Sequence, residues 1–210
     1  MQTDAPKPLD VILASASPRR RQLLDEAGLS FTVRIAEVDE SLDADDRAVP
    51  EEAAKKLAEK KAGAVVQELL AEGFCGTAAI IGADTMVVLG DEVMGKPRNI
   101  SDATGMLRRL SGKTHRVVTA VSLWVLSAPE PEKVSLGLRT FADVSQVRFK
   151  ALSDQDIKDY LTCGESFDKA GAYAAQGKGA RLIEHIEGSL DTVIGLPVGR
   201  LKEEYPDLWA

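Results

Sequence analysis

Residues 80–97 read IIGADTMVVLGDEVMGKP, and the rest of the chain is organised around them. An apolar run over 78–83 predicts a buried strand that ends at a lone carboxylate, Asp84. Met86 to Leu89 continue the strand, Gly90-Asp91 supply a two-residue turn, and Val93-Met94 return. In that register Thr85 lies opposite Lys96 and Asp84 opposite Pro97. Opposed residues of an antiparallel pair sit roughly 4.5–5.5 Å apart at Cα, so one hairpin brings an acid and a base into one neighbourhood. Asp84 and Lys96 point to opposite faces of a regular ladder, so for both to reach one site the ladder must end or bulge near Asp84. Residues 90–96 also spell GxxxxGK, most of a P-loop. Pro97 stands where a magnesium-binding Ser or Thr belongs and no helix begins at Lys96, so that reading is discarded.

Upstream, a short apolar strand at 11–14 runs into Ser15-Ala16-Ser17 and then Pro18. Ser17 suits an N-cap and Pro18 a first helical position, with Leu23, Leu24 and Ala27 on one face of the helix that follows. A strand, a small-residue loop and a helix N-terminus aim backbone N–H groups at an anion. Arg19, Arg20 and Arg21 fill the first turn, where cations oppose the helix dipole, so local stability does not explain them. Arginine forks match phosphate oxygens, and Ser15 and Ser17 with Arg19, Arg20 and Arg21 make a candidate phosphate clamp.

Residues 31–38 alternate as a strand and lead through Asp39-Glu40 into an Asp-rich loop at 42–49. Pro50 opens a helix whose apolar stripe is Ala54, Leu57, Ala58, Ala62 and Val65. Lys61 lies on that stripe and Lys60 off it. An inward lysine is costly unless it meets an anion or reaches water, so Lys61 is the functional candidate of the two.

Past the central hairpin, Ser101 is the expected cap of a helix ending at Ser111-Gly112. Strands at 117–126 and 136–149, joined by a turn at 128–134, predict a long antiparallel pair. Ser153 to Asp156 fits a capping box. Residues 167–179, FDKAGAYAAQGKG, are glycine-dense, which lets backbone approach a ligand, and the amide of Gln176 suits a base edge. A strand at 181–186, a return segment at 191–194 and a last helix ending near Tyr205-Pro206 complete the reading.

The 210 residues suffice for one large domain or two small lobes. A net charge of −7 argues against a general nucleic-acid binder. Cys75 and Cys163 are far apart and form no CxxC, and with two histidines a His-rich metal site is not expected. No run is long enough to span a bilayer and no signal region opens the chain, so the expected location is the cytoplasm, with no membrane partner.

In order, SASPRRRQLL, the inward Lys61, GADT, GKP, LSGKTHRVVTAV, DKAGAYAAQG and VIGLP resemble the Maf family of nucleoside triphosphate pyrophosphatases from about Val11 to Leu201. The resemblance implies one Maf-like domain over 1–210, with residues 1–9 flexible. It implies an α/β fold of the Maf/ITPase-like kind, on a long mixed, largely antiparallel sheet flanked by helices, with two lobes around a deep cleft. It also implies hydrolysis of a nucleoside triphosphate to monophosphate and pyrophosphate with a divalent cation, Mg²⁺ or Mn²⁺. By position, Asp84 matches the general base. Ser15, Ser17, Arg19, Arg20, Lys61 and Lys96 match substrate-binding positions, and Glu40 with Asp84 the metal ligands. Arg19, Thr85 and Gln176 match positions linked with base choice, and YAAQG resembles the dTTP/UTP branch. The alternatives are a nucleotide-sensing regulator of septum formation and a purine-directed enzyme of the 7-methyl-GTP or ITP type. The oligomeric state is left open, a homodimer included.

Overall fold

The computed structural model describes residues 9–42, 48–130 and 132–209. Most of the expected flexible segment 1–9 and the centre of the Asp-rich loop, 43–47, therefore lie outside the described residues. Leu9 packs half-buried against the core.

The first strand, β1 (Asp10–Leu13), is followed by α1 (Pro18–Glu26) and a two-residue β2 (Thr32–Val33). Helix α2 (Pro50–Ala71) then leads to the long β3 (Gly76–Leu89), the short β4 (Glu92–Met94) and α3 (Ile100–Leu110). Strands β5 (Thr114–Glu130) and β6 (Lys133–Phe149) come next, then α4 (Asp154–Leu161) and β7 (Ile183–Glu187). Short helices α5 (Leu190–Ile194) and α6 (Val198–Glu204) follow, and then a 3₁₀ segment, Pro206–Trp209. One sheet runs in the order β2-β1-β3-β5-β6-β7, with β4 also on β3.

Strand β3 explains the architecture. Buried residues cover nearly its whole length, which a strand in the middle of a sheet requires. Along one edge it pairs with β5 continuously, from Gly76↔Ala128 to Val88↔Arg116. Its other edge serves two neighbours in turn. Parallel β1 takes Ala78 to Ile81, and antiparallel β4 takes Val87 to Leu89. The ladder with β4 thus stops at Val87↔Met94, in the register expected from the sequence, and residues 82–86 face a gap between two partners. Gly90 makes the turn with a φ of 63°.

The hydrophobic core divides about this gap. One side gathers β1, α1, the start of β3 and the C-terminal helices around Leu13, Leu24, Ile81 and Leu201. The other gathers α3, α4 and the far ends of β5 and β6 around Leu107, Phe149 and Tyr160. Helix α2 covers the opposite sheet face through Leu57, Ala58, Ala62 and Val65. These are the two expected lobes.

Five local expectations change. The strand at 31–38 shrinks to Thr32–Val33, because the strand it pairs with, β1, ends at Leu13 and turns into the serine loop. Asn99, not Ser101, caps α3, its side chain accepting from Asp102 N at 2.9 Å. The turn between β5 and β6 is shorter than expected, with strand reaching Glu130 and resuming at Lys133. The strand at 181–186 starts at Ile183, preceded by a 3₁₀ segment, Gly177–Leu182. The return segment at 191–194 is helical. Ser189 N and O both bond the Ser145 hydroxyl at 2.9 Å, which turns the chain over the sheet face instead of back along its edge.

Candidate active site

A cleft of about 890 Å³ opens at the gap in β3, within the range usual for small-molecule sites. It is lined by Ser15, Ser17, Arg19, Arg20, Glu40, Lys61, Asp84, Thr85 and Lys96, so nine of the eleven candidate residues meet there. Gln176 does not line it, the lining on that side ending at Ala175, and Arg21 of the expected clamp is exposed outside it.

Asp84 is buried, at 8% exposure. Its Oδ1 accepts from Lys61 Nζ at 2.6 Å, and the same ammonium lies 2.8 Å from Glu40 Oε1. The stripe of α2 thus delivers Lys61 inward to two carboxylates. Lys60 is half-buried outside the cleft, its Nζ 3.4 Å from the Asp39 carbonyl. The approach of α2 depends on a residue that the sequence reading passed over. A Cβ at Gly82 would stand 2.2 Å from Ala58 O and 2.9 Å from Ala62 Cβ. Glycine inside a strand signals such close backbone approach, so the cue was present in IIGAD. Burial pushes the Glu40 carboxyl up, but Lys61, Lys96 and Arg20 outweigh it and hold the group below its ordinary value.

Arg20 is 9% exposed. Nε donates to Gly195 O at 2.8 Å, Nη1 to Ser15 Oγ at 2.9 Å and Nη2 to Thr85 Oγ1 at 3.1 Å. A guanidinium carries five N–H donors, so two remain for a ligand. Burial pulls the Arg20 pKa down, and the charge of Asp84 pushes it up. Ser17 caps α1 as expected, though its Oγ is a long 3.5 Å from Arg20 N. Thr85, expected to bear on base choice, has its hydroxyl committed to Arg20 and to Thr119 Oγ1 at 3.0 Å.

Beyond the gap, Asp168, Lys169 and Tyr173 also line the cleft. Lys169 pairs with Asp168, whose carboxyl is raised by burial but held low overall by that lysine and by Arg19. Tyr173 is buried against Phe149 and His115, and its hydroxyl lies 2.8 Å from His115 Nε2. Tyr173 was visible only as part of a glycine-dense loop.

Among the described residues five cations (Arg19, Arg20, Lys61, Lys96 and Lys169) and four acids (Glu37, Glu40, Asp84 and Asp168) line the cleft, and comparison with known proteins adds to this. A family profile described as Maf-like protein matches residues 10–206. The chain belongs to the Maf family. A Clostridioides difficile dTTP/UTP pyrophosphatase is 42% identical over 193 residues, 92% of each chain. Proteins of the same name from Aquifex aeolicus and Bacillus velezensis are each 44% identical, over 191 and 190 residues. Those alignments cover 91% of both chains and 90% and 92% of the two chains, respectively. A solved nucleoside-triphosphatase, a dITP/XTP pyrophosphatase from Mycobacterium abscessus, aligns over 95% of this chain and 94% of its own. At 11% identity and a TM-score of 0.40, that likeness is too loose to bear on the site.

Proposed function

We propose that this Maf protein hydrolyses dTTP and UTP to the monophosphate and pyrophosphate. The observation that carries the reading is the meeting of Lys61, Asp84 and Glu40 with Arg20 and Ser15 in one cleft at the β3 gap. Relatives at 42–44% identity that bear the name dTTP/UTP pyrophosphatase supply the base and the bond.

In this reading Arg19, Arg20, Lys61 and Lys96 neutralise the triphosphate. Charge-assisted hydrogen bonds of this kind contribute roughly 1.5–3 kcal/mol each. The water oxygen bonds to the α-phosphorus and gives its proton to Asp84. The bond from that phosphorus to the bridging oxygen breaks, and its electron pair leaves with pyrophosphate. Lys61 occupies Asp84 Oδ1, and among the described residues nothing bonds Oδ2, which is therefore the oxygen offered to water.

The donor set fits a Mg²⁺ or Mn²⁺ brought in with the substrate. Glu40 and Asp84 already converge on one positive centre, the Lys61 ammonium. Among the described residues no group of three or more His, Cys, Asp or Glu forms a cage. One or two carboxylates plus phosphate oxygens and waters is the usual magnesium arrangement. Such an ion draws charge from the α-phosphate when bound.

The test is a panel of dTTP, UTP, CTP, GTP, ITP and 7-methyl-GTP with separate detection of pyrophosphate and orthophosphate. Pyrophosphate is expected, with dTTP and UTP turned over fastest. Turnover of none of them, or release of orthophosphate alone, overturns the reading.

A further inference from the structure

Two stretches that resemble family motifs, LSGKTHRVVTAV and VIGLP, take no part in the hydrolytic step described above, although Gly195 of the second accepts from Arg20 Nε. Thr119 belongs to the first, Thr192 immediately precedes the second, and both are fully buried. Thr119 Oγ1 donates to Thr192 O at 2.7 Å. A threonine hydroxyl has one proton. With that proton spent, Thr119 can only accept from Thr85, across 3.0 Å. The Thr85 hydroxyl, having donated to Thr119, can only accept from Arg20 Nη2, as its 3.1 Å contact requires. Every proton in the row therefore has one direction, from Arg20 through Thr85 and Thr119 to the Thr192 carbonyl.

The row closes on itself. Thr192 lies in α5, which ends at Gly195, and Gly195 O takes the Arg20 Nε proton at 2.8 Å. Thr85, Thr119 and Asp143 also form one rung of the sheet, on β3, β5 and β6. Asp143 accepts the Thr192 hydroxyl, pinning α5 a second time. Two of the three groups that orient the buried guanidinium thus depend on Thr119. One is Thr85 directly, and the other is Gly195 by way of α5.

We infer that Thr119 is a positioning residue for the reaction, setting the two free N–H groups of Arg20 toward the phosphates although it touches no substrate itself. The inference rests on the pyrophosphatase reading. It assigns to β5, the strand paired with β3, control of how the phosphate chain is gripped.

The experiment measures steady-state pyrophosphate release from UTP by the whole chain and by Thr119→Val, Thr119→Ser, Arg20→Lys and the Arg20→Lys/Thr119→Val double variant, with thermal unfolding of each. Wild-type turnover tests the pyrophosphatase reading by itself. Given that turnover, Thr119→Val is expected to lower kcat/KM about tenfold. Thr119→Ser, which keeps the hydroxyl, should stay within about twofold of wild type. Val and Lys should shift the same parameter, kcat or KM, and the double variant should be no worse than Arg20→Lys alone, because both changes act through one guanidinium. Should valine prevent folding, Thr119→Cys, a weaker donor, is expected to fold and to show a kcat/KM below that of Thr119→Ser. The inference fails if Val leaves turnover intact, if Ser or Cys is as damaging as Val in a folded protein, or if the Val and Lys effects multiply.

Discussion

Lys61, at 2.6 Å from Asp84 and 2.8 Å from Glu40, holds two carboxylates together in the free protein. Asp84→Asn keeps the shape but removes the carboxylate proposed to take the water's proton. Turnover should fall by roughly 10²- to 10⁴-fold while UTP still binds. Pyrophosphate release alongside a binding titration checks this, and wild-type turnover in the variant would remove Asp84 from the base role. His115 is a second informative residue. Burial holds its pKa at about 4, against an ordinary value near 6.5. Its Nδ1 has no partner among the described residues, so an imidazolium there would carry a buried N–H with no acceptor. As pH falls from 6.5 toward 4, the unfolded chain takes up a proton that the folded chain refuses, so stability drops across that window. The loss is on the order of 3 kcal/mol when complete. Urea unfolding at pH 7 and pH 4.5 should show it, and His115→Gln should flatten the slope.

At the scale of elements, the decisive contact is α2 on β3. Gly82→Ala would drive a methyl into the Ala58 carbonyl and the Ala62 methyl, backbone and a short side chain that cannot step aside. The helix must shift, carrying Lys61 away from Asp84. We expect a loss of about 1–3 kcal/mol together with reduced turnover. Gly105→Ala, in the interior of α3 with nothing within 4 Å of the added methyl, is the contrasting case. It should stabilise by about 0.5–1 kcal/mol and leave turnover unchanged. Denaturant midpoints and pyrophosphate release for the pair separate a packing effect from a general intolerance of alanine.

Across the whole molecule, local chemistry and hydrophobic periodicity were readable in advance. The apolar run of β3, the hairpin at Gly90, the capping box at Ser153 and the inward face of Lys61 each depend on residues within a few turns of one another. What could not be read depends on distant partners. That β3 shares one edge between β1 and β4 is a fact about three strands. The shortening of 31–38 follows from where β1 stops, and the helical α5 from the Ser145–Ser189 contact. Nine of the eleven candidate residues converge on the cleft, but only the assembled sheet shows Thr85 tied to Arg20 and Gln176 outside the lining.

The bond from Arg20 Nε to Gly195 O joins positions 175 residues apart. The antiparallel β5–β6 ribbon can zip from its own turn, but this closure must wait until almost the entire polypeptide is in place. Competence to grip a triphosphate is therefore among the last properties a refolding molecule acquires. A chain cut short before residue 195 would keep most of its sheet partners and still lack a correctly set arginine.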